Sequence, residues 1–411
     1  MQDKVYMSRM PRILNGVQTR FHRTLADNPV RPMTVIATMG ILLLTGGTEA
    51  ATAQKTAADS TSVTPTAKKA GYTIIPGLKI SPEIGIGVGM MAVNPQSPRE
   101  GARMEYRLLY TTRGQAEARI SNRTTEFFGS QWEARFEGSF QRFPDSYFGG
   151  GNNPNDSDET EYSPLGGYAF TYFTRPIVAA VPPIKFIAGV RAEFWDISDI
   201  HKADGSLGAS QILGPQVSGY RGGLADLWES GIEYDARDSK DVPARGIHAS
   251  QRIGTSIAAK DAFRSSESWI AAYQTLGRRW EVAGKLWQKT LFGNPAFFVE
   301  PNLGNEDVLR GVPHKRFRDK SAQAAQAEIR FGFPLALPLI AGWLGKDWQI
   351  ATFGETGRVD SDFEEASQGT LHYSGGVGGR LVFNNRVGCM RGDLGFSEHG
   401  VAFIVKFNQA F

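Results

Sequence analysis

Cysteine is all but missing from this chain: Cys389 is the only one in 411 residues. No internal disulfide can staple the fold, so its stability has to come from elsewhere. An excess of one charge is missing too. Lysine and arginine number 45 against 42 aspartates and glutamates, a balance that argues against a nucleic-acid partner. Long apolar runs are absent. The only candidate for a helix in a bilayer, residues 33–45, falls far short of the roughly 20 residues a span requires. Catalytic signatures are equally scarce. No Gly-x-Ser-x-Gly elbow occurs, and Ser397 with His399 reads as two small polar residues of a final hairpin. The six histidines, His22, His201, His248, His314, His372 and His399, include no i, i+4 pair, so neither metal centre, cofactor nor enzymatic activity is expected.

The short apolar run has another use. Arg31 precedes it, and Ala51-Thr52-Ala53 before Gln54 has the small-x-small form of a cleavage site. Residues 1–53 are read as a secretory signal whose long n-region carries Arg9, Arg12, Arg20, Arg23 and Arg31. Cleavage after Ala53 removes six basic and three acidic residues, leaving 39 of each. Residues 54–70, rich in Thr, Ser, Ala and Lys, cannot pack a core and read as a short periplasmic leader.

What is plentiful is glycine, 47 residues, and alternation. No stretch from residue 71 onward sustains a 3.6-residue period, whereas period two recurs throughout. In 131–142, Glu133, Arg135, Glu137, Ser139 and Gln141 share one face against Trp132, Ala134, Phe136 and Phe140. In 400–411, Val401, Phe403, Val405, Phe407 and Phe411 share the oily face against Lys406 and Asn408. Polar inside and oily outside, with a mean hydropathy of -0.29, is the pattern of a transmembrane barrel. The glycine run 85, 87 and 89 is no dinucleotide loop, since no helix follows it. Sixteen such segments can be placed over 71–411, predicting an all-β, sixteen-stranded antiparallel outer-membrane barrel with both termini periplasmic. The longest loops, 143–160, 197–221 and 292–321, then fall on the outer side. Asp156, Asp158 and Glu159 in the first fit no calcium loop. Residues 334–346, with two prolines, are expected at the membrane interface. Arg103, Glu105, Arg107, Glu117, Arg119, Glu133, Arg135 and Glu137 should project into the lumen as cross-strand ion pairs.

Five stretches together resemble the bacterial surface antigen superfamily, the BamA/TamA-like outer-membrane barrels. They are Ser81-Pro82-Glu83 with the glycine strand, residues 231–246 (GIEYDARDSKDVPARG), Leu309-Arg310-Gly311-Val312, Phe353-Gly354-Glu355-Thr356-Gly357, and the terminal aromatic strand. Val312 stands where the family usually has an aromatic residue, with Phe317 the nearest one, and Glu355 stands for the usual aspartate. The 17 residues of 54–70 cannot hold one of the periplasmic POTRA domains of family assembly factors.

The resemblance implies protein translocation or membrane-protein assembly without the chain's own POTRA domains, served by a separate periplasmic partner that brings client proteins. The alternative is a passive pore or structural surface antigen. Its partners would be outer-membrane lipid and, during biogenesis, the assembly machinery that reads Phe403, Phe407 and Phe411. It also implies that Arg310 folds into the barrel to meet acidic wall residues. Glu328 and Glu355 are the candidates, because Gln326, Glu328 and Arg330 share a face opposite Ile329, Phe331 and Phe333.

Overall fold

The computed structural model describes residues 71–82, 84–94, 102–127, 131–178, 183–202, 212–334, 347–361, 370–382, 388–407 and 409–411. The proposed cleavage site at Ala51, Ala53 and Gln54, the leader 54–70 and residues 335–346 lie outside the described residues. The chain divides into units 1–60 and 61–411, and every described residue belongs to the second.

Strands β1 (Thr73–Ser81), β2 (Gly85–Asn94), β3 (Ala102–Thr111), β4 (Ala116–Phe127), β5 (Trp132–Arg142) and β6 (Asp145–Tyr147) come first. They lead into β7 (Thr160–Pro176), β8 (Ile184–Lys202), β9 (Gly222–Asp235), β10 (Gly246–Thr255), β11 (Phe263–Leu276) and β12 (Trp280–Gly293). The chain ends through β13 (Asn302–Leu303), β14 (Phe317–Arg318), β15 (Ser321–Pro334), β16 (Asp347–Asp360), β17 (His372–Val382), β18 (Cys389–Ser397) and β19 (Gly400–Phe407). Each long strand pairs antiparallel with its neighbours in sequence, and β1 pairs with β19 to close the ring. Strands β5 and β6 both pair with β7 and are one interrupted stave, while β13 and β14 form a separate ribbon. The result is a closed sixteen-stranded antiparallel barrel, as the alternation predicts.

Parity decides what faces where. Val88, Tyr373, Ile329, Ile350, Val401 and Phe403 are among the many large apolar side chains left exposed. So much exposed apolar surface, carried by alternate residues of paired strands, is the outer belt of a membrane barrel. The opposite positions hold the charges. Glu105 with Arg107, Glu117 with Arg119 and Glu193 with Arg191 are ion pairs two residues apart on one strand. The expected cross-strand pairs also occur, as Arg119 to Glu137 at 3.4 Å and Lys185 to Glu133 at 2.6 Å. Period two puts i and i+2 on one face as surely as pairing puts neighbours there.

An even number of staves leaves the start of β1 and the end of β19 at one end of the barrel. There residues 236–245, the β9–β10 connection, form a floor. Val242 is fully buried against Val382 and Cys389 on β17 and β18, Asp241 meets Arg103 at 3.1 Å, and Lys240 meets Glu133 at 3.0 Å. The terminal strand departs from expectation. It stops at Phe407, and the side chain of Phe407 lies outside the described residues. Phe411 does not continue the lipid-facing row; it packs against Ala271, Tyr273 and Ala283 on the inner wall. Beyond the last ladder bond nothing holds the two-residue period, and burial against that apolar trio decides where the ring goes. The stretch 184–196 also runs further as strand, to Lys202, taking residues from the loop expected after it.

Candidate functional site

The β12–β15 connection, residues 294–320, folds into the opposite end of the lumen. Its core comes from its own apolar residues. Leu303, Leu309, Val312 and Phe317 pack with Ala322, Ala324 and Val359 of the wall. Val312, where the family has an aromatic, is thus a core residue beside Phe317. Phe297 enters a second cluster, edge-on to Tyr147 and Tyr162 at 5.3 and 5.5 Å between ring centres. Asn305 shapes the tip by accepting bonds from the amides of Asp307 and Val308 at 2.7 and 2.8 Å, as turn asparagines do.

Arg310 lies at that tip and is completely buried. Its Nε donates to Glu355 Oε1 at 2.9 Å, its Nη1 to Asp393 Oδ2 at 3.0 Å, and its Nη2 to Glu328 Oε2 at 3.3 Å. Its backbone amide reaches Glu355 Oε2 at 2.6 Å, and its guanidinium lies over the Phe353 ring at 3.5 Å. Burial alone would make the guanidinium easier to deprotonate; Glu355, Glu328 and Asp393 more than reverse this and hold it charged. The chain must lie almost on the wall to reach so far. A Cβ on Gly311, whose φ is +113°, would stand 2.9 Å from the Gly395 carbonyl carbon, and one on Gly395 would stand 2.3 Å from the Arg310 carbonyl oxygen. Only glycine at both positions permits that approach. Ser397 Oγ then donates to the Gly311 carbonyl at 2.7 Å and accepts from the His399 amide at 3.1 Å. Its hydroxyl is engaged in holding the loop.

The wall answers with a network. Glu328 also binds Arg330 at 2.8 Å and Arg380 at 3.1 Å, and Asp393 binds Arg391 at 2.6 Å. Next to Arg310 the loop touches the closure of the barrel: Glu306 meets Lys79 of β1 at 2.6 Å and Lys406 of β19 at 3.3 Å. Asp307 meets Lys406 at 2.6 Å. Lys406, Arg391 and Lys285 outweigh the cost of burial and hold the Asp307 carboxyl down at about 2. The structure therefore brings Arg310 to both Glu328 and Glu355. Sequence reasoning missed Asp393, Arg380, Arg391, Glu306 and Asp307. The parity of Leu394 and Phe396, both exposed, would have put Arg391 and Asp393 inside. Asp156, from the acidic run, pairs with Arg316 at 2.6 Å and remains largely exposed.

The closure itself is thin. Among the described residues, strands β1 and β19 share one register pair, Ile80 with Val405, whereas β1 and β2 share nine and β18 and β19 eight. Because the top of β1 meets the lower part of β19, the upper part of β19 runs past β1. A cavity of about 490 Å³ opens there, bordered by Pro82, Val401, Ala402, Val312 and Pro313.

No family model matches this sequence, and no curated protein matches it. Among solved structures, BamA from Haemophilus ducreyi lacking POTRA domains 1-3 is similar at 11% identity and a TM-score of 0.51, over 83% of this chain and 70% of that one. CdiB from Acinetobacter baumannii is similar at 10% identity and a TM-score of 0.53, over 83% and 60%. CdiB from Escherichia coli is similar at 9% identity and 0.55, over 81% and 62%. The chain spans about three fifths of the length of the CdiB chains. The resemblance to BamA-type barrels read from the motifs is met at the level of the fold.

Proposed function

We propose that this chain is an outer-membrane barrel that inserts or translocates protein by parting β1 from β19. The observation that carries the reading is the seam: one backbone register pair among the described residues, reinforced by Glu306 of the lumen loop, which binds a lysine on each side of it. Strand edges left unpaired beside a cavity can accept a strand from another chain. A passive pore is the less favoured reading, since the loop and its buried ion pairs occupy the lumen. In this reading both termini are periplasmic, and a separate periplasmic protein delivers the client.

The test is to lock the seam. Ile80→Cys with Val405→Cys, in a Cys389→Ser background, places two thiols at directly opposed positions within reach of a disulfide. After depletion of the native protein, the oxidised variant is expected to lose other outer-membrane proteins from the membrane, and reductant is expected to restore them. Normal outer-membrane content with the seam locked would reject the reading. Unchanged protein content together with altered small-solute uptake on depletion would favour the pore.

A further inference from the structure

Where β17 begins and β18 turns into β19, three potential ligand atoms converge outside the lumen ion-pair network. His372 Nε2 lies 2.9 Å from the carbonyl oxygen of Asn152. A carbonyl can only accept, so Nε2 carries the proton, and Nδ1 is the ring nitrogen left to serve as a ligand. That nitrogen faces Glu398 Oε1 at 2.7 Å. His399 Nε2 is 3.5 Å from the same carboxylate oxygen, is buried, and has no hydrogen-bond partner. The three ligand atoms lie within 4.8 Å of one another. Two imidazole nitrogens and a carboxylate pointed at one spot are a donor set that a cation can bridge.

We propose that His372, Glu398 and His399 bind a divalent transition cation of the zinc type. Bonds of about 2.0–2.1 Å to nitrogen and oxygen in a tetrahedral site put ligand atoms about 3.3 Å apart, and the observed 2.7 and 3.5 Å bracket that spacing. Two imidazoles and one carboxylate, with water completing the set, suit a borderline metal such as Zn²⁺ over Mg²⁺ or Ca²⁺. The surroundings are those of a held ligand. The outer nitrogen of His372 is fixed on a backbone carbonyl, as metal-bound histidines generally are. Asn152 is itself anchored, its Oδ1 accepting the Val359 amide at 3.0 Å. Phe317 of the lumen loop stacks on the His372 ring, 3.7 Å between centres and 16° between planes. A second group, Glu233, Asp235 and His248, lacks this character, because Arg237 takes both oxygens of Asp235 at 2.8 and 3.0 Å. A cation at His372 would clasp β17 to the β18–β19 turn beside the seam. The clasp does not depend on the transport reading.

The experiment uses the mature chain folded in detergent micelles and stripped with chelator. Titration with Zn²⁺ is followed by calorimetry, and Co²⁺ is used for its visible absorption. One saturable equivalent is expected, with a rise in the temperature at which the folded band is lost in gels. His399→Ala and Glu398→Gln, which leave the His372 bond to Asn152 in place, should each weaken binding by at least about tenfold while keeping the folded band. Co²⁺ should give the intense bands of a four- or five-coordinate site in the parent only. Absence of a saturable equivalent, or equal binding by parent and both variants, overturns the proposal and leaves the three residues as a hydrogen-bonded cluster.

Discussion

Two stretches of the inner wall both carry charged residues on the lumen-facing parity of their strands, and yet they are different physical objects. On β3 to β8 the guanidiniums of Arg119 and Arg191 keep 28% and 36% of their side-chain surface in the lumen. On β15 to β18 the charges of Glu328, Glu355, Arg380, Arg391 and Asp393 keep none. The residues do not differ in kind; the cover does. Loop 294–320 lies over the second wall and excludes water from it, which strengthens every ion pair there and raises the cost of leaving any partner alone.

Removing the cover's own charge should have the largest effect. Arg310→Ala leaves Glu355, Glu328 and Asp393 without their shared cation, and losing one partner of a buried pair costs about 3–5 kcal/mol. The expected result is a lower temperature for loss of the folded band, faster proteolysis within 294–320, and higher single-channel conductance in planar bilayers. If all three are unchanged, the two walls are alike and the cover is irrelevant. A smaller effect should come from Glu300 at the base of the loop. Burial, reinforced by nearby Asp319 and only partly offset by Arg318, pushes its carboxyl up to about 7. The folded state then holds this proton more tightly than the unfolded chain does. The contribution is complete below the ordinary glutamate range and is lost as pH rises through about 7. Protease resistance of the loop should therefore fall between pH 5 and 8 in the parent, and Glu300→Gln should flatten that slope. A parent with no slope would remove Glu300 from the account. The smallest effect belongs to the open wall: Arg119→Ala should cost no more than about 1 kcal/mol, because a partly hydrated pair contributes little. A loss in the folded-band assay as large as that of Arg310→Ala would erase the distinction.

Much of the architecture was legible because a barrel wall enforces period two. Ile329 against Glu328, and Phe403 against Lys406, are sorted by lipid on one side and lumen on the other, and the sorting is written in every strand. Arg310 and its acidic partners Glu328 and Glu355 were legible as a motif and a parity. Other features were not, for one reason. The ring of Phe411 against Tyr273, Val242 of the floor against Cys389, and Glu306 reaching Lys79 and Lys406 are all contacts across the lumen or between loop and wall. They join residues far apart in sequence that share no ladder, so no local period announces them. The histidine pair escaped for the same reason: His372 and His399 meet through the β17–β18–β19 fold, and a search for helical spacing cannot see it.

Burial of the lone thiol under the floor has an experimental consequence. Cys389 is fully covered, in contact with Val242 from the β9–β10 connection, and no other cysteine competes for reagent. A thiol-alkylating reagent can reach it only when that cover lifts, and when alkylation is fast compared with reclosing the labelling rate counts each opening. The unaltered protein thus contains its own clock for motion at the terminal end of the barrel. Its reading, with and without a client at the seam, would tell whether the floor moves when the wall parts.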